Sequence, residues 1–152
     1  MHQDFYHNEF NEVKDVCGFD PMAAQIVGRL NEKNFRVVLA TNPLFPSVAT
    51  ENRIRWAGLD PEDFEYFTTF ENSHYCKPNL DYYREIMDKL YLKPEKCLMV
   101  GNDTQEDMVA EQLGMKVFLL TDCLINKAGE DISQYPHGSF TQLDAYLKEL
   151  FL

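Results

Sequence analysis

Polar residues that could handle a phosphate group occur at three places along the 152-residue chain. Thr41 and Asn42 end an apolar stretch, Lys77 precedes a proline, and an acidic run follows another apolar stretch. The acidic run contains Asn102, Asp103, Glu106 and Asp107. A hydroxyl, an ammonium and several carboxylates suit a phosphate held beside a divalent cation. The pattern therefore predicts phosphate and metal chemistry, provided that the fold brings the three places together.

Each of these features also has a purely structural interpretation. Thr41 and Asn42 could form a turn before Pro43, and Lys77 could be a solvated surface charge. The sequence NDTQED is typical of a helix N-terminus, where Asn or Asp caps the first turn and acids complement its positive end. Function is favoured because each feature follows its own predicted strand, and ligands of parallel sheets bind outside the carboxyl ends of the strands.

Alternating strands and helices are predicted to position these residues. Four apolar segments are predicted to be strands: FRVVLATN, FEYFTTF, CLMVG and KVFLL. The first of them lacks polar alternation, which is typical of a strand buried on both faces of a parallel sheet. Amphipathic patterns predict helices near residues 5–16, 21–33, 47–56, 82–90, 102–113 and 143–150. The polar stretch from 121 to 139 is predicted to be irregular. This order predicts an α/β fold with a parallel sheet.

Three of these segments resemble motifs of the haloacid dehalogenase-type (HAD) hydrolase superfamily. VVLATN resembles the second motif, CKPN the third, and LMVGNDTQED the fourth, and their order and spacing make the combination specific. The resemblance implies the C-terminal part of a HAD core, which is a three-layer, Rossmann-like α/β domain with a parallel sheet. It also implies an Mg²⁺-dependent phosphohydrolase acting on a small phosphorylated metabolite.

The resemblance gives each motif a role. The Thr41 hydroxyl would bind the transferring phosphoryl group with Asn42 beside it, and Lys77 would neutralise negative charge. The acids after Gly101 would hold Mg²⁺.

The fourth motif departs from the common Gly-Asp form, because Asn102 follows Gly101. The two residues of the metal site are therefore either Asp103 with Asp107 or Asn102 with Glu106. A carboxylate binds Mg²⁺ better than an amide, which favours Asp103 as the ligand. Asp107 is then either a second ligand or a carboxylate just outside the metal.

The first motif of the family, a strand ending in Asp-x-Asp, has no counterpart in the 152 residues. Its two carboxylates would be the nucleophile and the general acid and base. We therefore expect a fragment that is inactive alone, with a cap remnant at residues 1–18 and an incomplete core domain at 19–152 that lacks its central first strand. Unpaired strand edges are costly. We expect the place of the absent central strand to be filled in one of three ways. A missing N-terminal segment could occupy it, a second copy of the chain could occupy it, or the strands predicted at 37–41 and 98–101 could pair directly.

Composition narrows the class of partners and the compartment. The formal net charge of −11 disfavours nucleic acid and anionic membranes as partners. The four cysteines form no C-x-x-C pair, and no signal peptide is evident, so a cytoplasmic location is expected. Two alternatives to a phosphohydrolase stay open: a non-catalytic phosphate-binding or regulatory module, and one half of a split enzyme that a partner chain completes.

Overall fold

A computed structural model describes residues 20–151 of the chain. The predicted first helix and the predicted cap remnant lie outside the described residues. The described part falls into two compact units that divide between His74 and Tyr75. Each unit has its own parallel sheet, with two strands in the first and three in the second. None of the helices between residues 20 and 151 is both long and apolar enough to cross a membrane.

The described part of the first unit, residues 20–74, contains two α-helices, two short strands and a 3₁₀ turn. Helix α1 spans Pro21–Glu32. Asp20 is its N-cap, and the Asp20 carboxylate accepts a hydrogen bond from the Met22 N–H at 2.9 Å. Strand β1 (Val38–Leu39) pairs in parallel with β2 (Tyr66–Phe67). Helix α2 (Ser47–Trp56) and a 3₁₀ turn (Pro61–Asp63) connect them.

The second unit contains the larger sheet, in the order β3-β4-β5 with all strands parallel. Its helices are α3 (Leu80–Leu90) and α4 (Phe140–Phe151), and its strands are β3 (Leu98–Gly101), β4 (Lys116–Leu120) and β5 (His137–Gly138). Short 3₁₀ helices span Pro94–Lys96, Met108–Leu113 and Ile132–Gln134.

The core of the second unit explains the apolar pattern of its sequence. Three consecutive residues of β4, Val117 to Leu119, are buried. A strand whose successive side chains are all buried is covered on both faces, as predicted for a parallel sheet. Phe118 packs against Tyr146 of α4 with ring centroids 5.1 Å apart, and Tyr82 of α3 is also buried. The α/β prediction is therefore confirmed.

Three features differ from the sequence-based predictions. Strands β1 and β2 contain two residues each, because the ladder ends after Leu39. Beyond it, the Thr68 hydroxyl hydrogen-bonds to the N–H and the carbonyl of Thr41. The helix predicted from residue 102 is wrong at its start: residues 104–107 form turns, and a 3₁₀ helix follows at Met108–Leu113. Carboxylates that bind nearby backbone N–H groups compete in this way with regular helix. Strand β5 was missed, because two residues, one of them Gly138, carry no strand pattern.

The direct pairing expected between the first and third strands is not found. Among the described residues, β1 pairs with β2 and β3 pairs with β4, so β1 and β3 belong to different sheets. The other two expected arrangements, self-association and a separate N-terminal segment, stay predictions.

Candidate functional site

The loop after β3 is built around one buried carboxylate. We call residues 102–107 the acid loop. The Oδ2 atom of Asp107 accepts hydrogen bonds from the backbone N–H groups of Asn102 and Asp103, at 3.0 and 3.1 Å. Its Oδ1 atom accepts one from the Nζ atom of Lys77 at 2.6 Å. Asp107 thus ties both ends of the acid loop to each other and to the lysine.

Gly101 makes this arrangement possible. A Cβ atom at this position would overlap the side chain of Asp107, including its Cγ and Oδ2 atoms. The carboxylate can therefore reach the N–H groups of residues 102 and 103 only because β3 ends in glycine. The close approach of a side chain to the backbone is a physical reason for glycine at this position of the motif.

The ion pair between Lys77 and Asp107 is buried on both sides. The side chain of Lys77 is 9% exposed and that of Asp107 is 5% exposed. Two charges withdrawn from water are stable only when they are paired and hydrogen-bonded, and Asp107 meets this condition with an ammonium and two backbone N–H groups. The lysine is therefore a fixed positive charge rather than a solvated surface group.

Asp103 is an acid of this loop that a cation can reach. Its Oδ1 atom accepts hydrogen bonds from the N–H groups of Gln105 and Glu106, at 2.8 and 2.9 Å. Within residues 20–151, no donor reaches its Oδ2 atom, and the residue is half-buried. One carboxylate oxygen can therefore face a metal while the other holds the turn.

The carboxylate and carbonyl oxygens of this loop are of the kind that could hold a hard cation such as Mg²⁺. In the part of the chain that is described, no three His, Cys, Asp or Glu side chains form a ready metal cluster. Mg²⁺ is commonly bound by one or two carboxylates together with waters and substrate phosphates. Asp103 fits such a site as a ligand, whereas both oxygens of Asp107 are already engaged by Lys77 and backbone N–H groups.

Residues 123–125 also hydrogen-bond to the acid loop, and they lie in the stretch that was predicted to be irregular. The N–H of Ile125 donates to the Asn102 carbonyl at 2.8 Å, and the N–H of Thr104 donates to the Ile125 carbonyl at 3.1 Å. The side-chain amide of Asn102 donates to the Cys123 carbonyl at 2.9 Å. These contacts hold the backbone and the side-chain NH₂ group of Asn102 at the start of the acid loop.

Tyr83 of α3 was also missed as part of this site. It is 2% exposed, and its hydroxyl donates a hydrogen bond to the Glu106 carbonyl at 2.5 Å. Burial raises the pKa of the Tyr83 phenol, and the negative charge of Asp107 raises it further. The phenol therefore stays protonated and keeps its role as a donor. Apolar helical spacing placed Tyr83 in the core, and nothing in the sequence signalled its polar contact.

The first unit holds the remaining predicted residues, Thr41 and Asn42, just beyond β1. Thr68 follows β2 and is fully buried. Its hydroxyl accepts a hydrogen bond from the Thr41 N–H at 3.0 Å and donates one to the Thr41 carbonyl at 2.5 Å. The Asn42 carbonyl accepts from the Leu44 N–H at 2.8 Å, which closes a tight turn.

The structure thus gathers the predicted residues into two clusters, one in each unit. Lys77, Asp103 and Asp107 lie together around the acid loop, with Asn102 at its start. Thr41 and Asn42 form the other cluster, at the end of β1. Among the functional residues that the sequence analysis did not single out, Thr68 and Tyr83 hold the backbone of the two clusters.

A comparison with models of protein families identifies the class of protein to which the chain belongs. The family model of haloacid dehalogenase-like hydrolases matches residues 4–122, and the chain belongs to that family. The family resemblance inferred from the three motifs is therefore confirmed.

Solved structures show the same fold. A hydrolase from Pseudomonas syringae is 17% identical, with 91% of this chain and 66% of that chain covered and a TM-score of 0.71. A HAD phosphatase from Thermococcus onnurineus is 19% identical, with 87% and 58% covered and a TM-score of 0.66. A HAD family enzyme from Bacteroides thetaiotaomicron, in complex with magnesium and inorganic phosphate, is 19% identical, with 76% and 57% covered and a TM-score of 0.56. This chain spans 57% to 66% of their lengths.

Proposed function

We propose that this chain carries the phosphate-binding and metal-binding part of an Mg²⁺-dependent phosphohydrolase that acts on a small phosphorylated metabolite. The observation that carries the proposal is the buried Lys77–Asp107 pair beside the half-buried carboxylate of Asp103. A fixed ammonium next to a carboxylate suits a phosphate with a divalent cation. Family membership, and the magnesium and phosphate bound by the enzyme from Bacteroides thetaiotaomicron, support it.

Each residue has a proposed role. Thr41 and Asn42 bind phosphate oxygens, and Lys77 neutralises the negative charge that develops during phosphoryl transfer. Asp103 holds Mg²⁺, which when bound supplies further positive charge to the phosphoryl oxygens. Asp107 keeps Lys77 and the acid loop in place rather than binding the metal itself, because its oxygens are engaged.

The reaction transfers a phosphoryl group from a monoester to water, which gives an alcohol and inorganic phosphate. In the family resemblance, a carboxylate of the Asp-x-Asp motif is the nucleophile. None of the 152 residues supplies that motif. We therefore propose that this stretch does not turn over substrate by itself, and that a separate segment or a partner chain completes the site.

Because the 152 residues contain no Asp-x-Asp sequence, a second candidate is a non-catalytic module that binds phosphate or has a regulatory role. The two candidates share the site and differ in turnover. A co-purifying polypeptide that bears Asp-x-Asp and restores hydrolysis would favour the split enzyme over the regulatory module.

Hydrolysis of p-nitrophenyl phosphate and binding of inorganic phosphate, measured on the same preparation with Mg²⁺ or EDTA, test the proposal. We expect Mg²⁺-dependent phosphate binding without turnover. Hydrolysis that depends on Asp103 would establish a phosphohydrolase and contradict the expected inactivity of this stretch. A protein that neither binds phosphate nor hydrolyses the ester would refute the proposal.

We propose further that the protein is cytoplasmic and binds neither nucleic acid nor anionic membranes. The net charge of −11 supports the second statement. The free thiols of Cys76, Cys97 and Cys123 support a reducing compartment.

A further inference from the structure

The hydroxyl of Thr68 makes two hydrogen bonds to the backbone of one residue, Thr41. It accepts from the Thr41 N–H at 3.0 Å and donates to the Thr41 carbonyl at 2.5 Å. A threonine hydroxyl has one donor and two acceptor sites, so a single buried group can bind the N–H and the C=O of one residue together. Thr68 itself is 0% exposed. Its position is therefore fixed by packing on all sides.

This contact begins where the sheet ends. The N–H of Thr68 donates to the Leu39 carbonyl at 3.2 Å, one residue past the end of β2. One residue separates Leu39 from Thr41. The Thr68 hydroxyl thus binds the N–H and the carbonyl of Thr41, which a neighbouring strand would bind in a longer sheet.

We propose that Thr68 is a positioning residue for phosphate binding, acting through Thr41. The inference rests on the proposed function, in which Thr41 binds phosphate oxygens. A backbone held at both its N–H and its C=O fixes the direction in which the Thr41 side chain leaves the chain. Donors held in place before the ligand arrives bind phosphate more tightly than donors that must be ordered on binding.

A buried threonine next in sequence provides a matched control. Thr69 is 3% exposed, and its hydroxyl hydrogen-bonds to Glu71. It makes no hydrogen bond to Thr41 among the described contacts. Replacing either threonine with valine removes one buried hydroxyl at nearly constant volume, but only the change at Thr68 releases the Thr41 backbone.

The experiment compares the variants Thr68→Val, Thr68→Ser, Thr69→Val and Thr41→Val in the full chain. Calorimetric titration with inorganic phosphate in the presence of Mg²⁺ gives the affinity, and NMR hydrogen exchange gives the protection of the Thr41 amide. We expect Thr68→Val to weaken phosphate binding and to accelerate exchange at Thr41, each by roughly tenfold. Thr68→Ser retains the hydroxyl and stays within about twofold of the wild type, and so does Thr69→Val.

The outcomes separate this inference from the proposed function. If Thr41→Val weakens phosphate binding while Thr68→Val does not, the positioning role is wrong and the proposed function stands. An equal loss in Thr69→Val would show a general effect of buried hydroxyls and would also overturn the role. If the wild-type chain binds no phosphate, the proposed function fails and takes the positioning role with it.

Discussion

At the residue scale, the Asp107 carboxylate accepts three hydrogen bonds, and the geometry of the acid loop depends on them. Lys77, Asn102 and Asp103 donate to its two oxygens, and the residue is 3% exposed. Burying a carboxylate is costly unless its oxygens are hydrogen-bonded or paired with a cation. At the scale of single residues, the acid loop therefore depends on groups that keep this charge satisfied.

Removing the ammonium from this pair is expected to destabilise the protein strongly. Lys77→Met leaves the Asp107 carboxylate buried without its cation, and breaking one side of a buried pair costs about 3 kcal/mol or more. Arg84→Met is the matched control, since Arg84 pairs with Asp81 at 3.0 Å with both side chains about half exposed. That change costs less than about 1 kcal/mol. Urea unfolding measures both, and equal losses would show that the Lys77 pair is not buried in solution.

A methyl group at Gly101 is expected to displace the Asp107 carboxylate. The added Cβ would overlap the Asp107 side chain, and forced overlap in a packed site costs roughly 1–3 kcal/mol. Gly28 of α1 is the control, because a Cβ there meets nothing within 4 Å. Gly28→Ala should stabilise the helix by about 0.5–1 kcal/mol. A Gly101→Ala protein as stable as the wild type would contradict the close approach.

At the scale of elements, helix α2 begins without a cap from its own N-cap residue, Pro46. The carboxylate of Glu71, from the segment after β2, accepts the Ser47 N–H at 3.0 and 3.2 Å instead. Partial burial raises the pKa of Glu71, but hydrogen bonds from its own N–H, from Ser47 and from Thr69 outweigh it, and the net pKa is lowered. The cap thus joins the loop after β1 to the segment that carries Thr68.

Loss of this cap should have a predictable dependence on pH. A carboxyl whose pKa is lowered by folding stabilises the protein above its unfolded pKa of 4.5, and the contribution is lost as the pH falls below that value. We expect Glu71→Ala to cost about 1 kcal/mol at pH 7 and less at acidic pH. The exposed Glu32 at the end of α1 is the control site. A loss that is the same at neutral and acidic pH would argue against a charged cap.

The elements that could be predicted from the sequence are those with long periodic patterns. The helices α1 to α4 and strands β3 and β4 follow from apolar spacing, and the three motifs follow from their positions after strands. Three features could not be predicted: the two-residue β5, the late start of the 3₁₀ helix, and the hydrogen bonds of Cys123 and Ile125 with the acid loop. They depend on hydrogen bonds between distant segments, such as Asn102 with Cys123, which leave no local signal. Thr68 and Tyr83 had the pattern of ordinary core residues for the same reason.

At the scale of the whole molecule, this chain corresponds to part of the solved HAD proteins that share its fold. The chain spans 57% to 66% of the solved HAD proteins compared above, and its 152 residues contain no Asp-x-Asp sequence. Binding of phosphate and metal is therefore a more direct property to measure on this chain than turnover. If both bind at one site, each must tighten the binding of the other by the same factor.

The measurement that tests this account most directly is a calorimetric titration of Mg²⁺, with and without inorganic phosphate, into the wild-type chain and Asp103→Asn. We predict that phosphate tightens Mg²⁺ binding in the wild type, and that Asp103→Asn weakens it by roughly tenfold or more. Asp131→Asn is the control, because Asp131 also accepts a backbone N–H, from Ser133 at 3.0 Å, and lies outside the acid loop. Equal Mg²⁺ affinity in the wild type and Asp103→Asn, or binding that ignores phosphate, would contradict the proposed site.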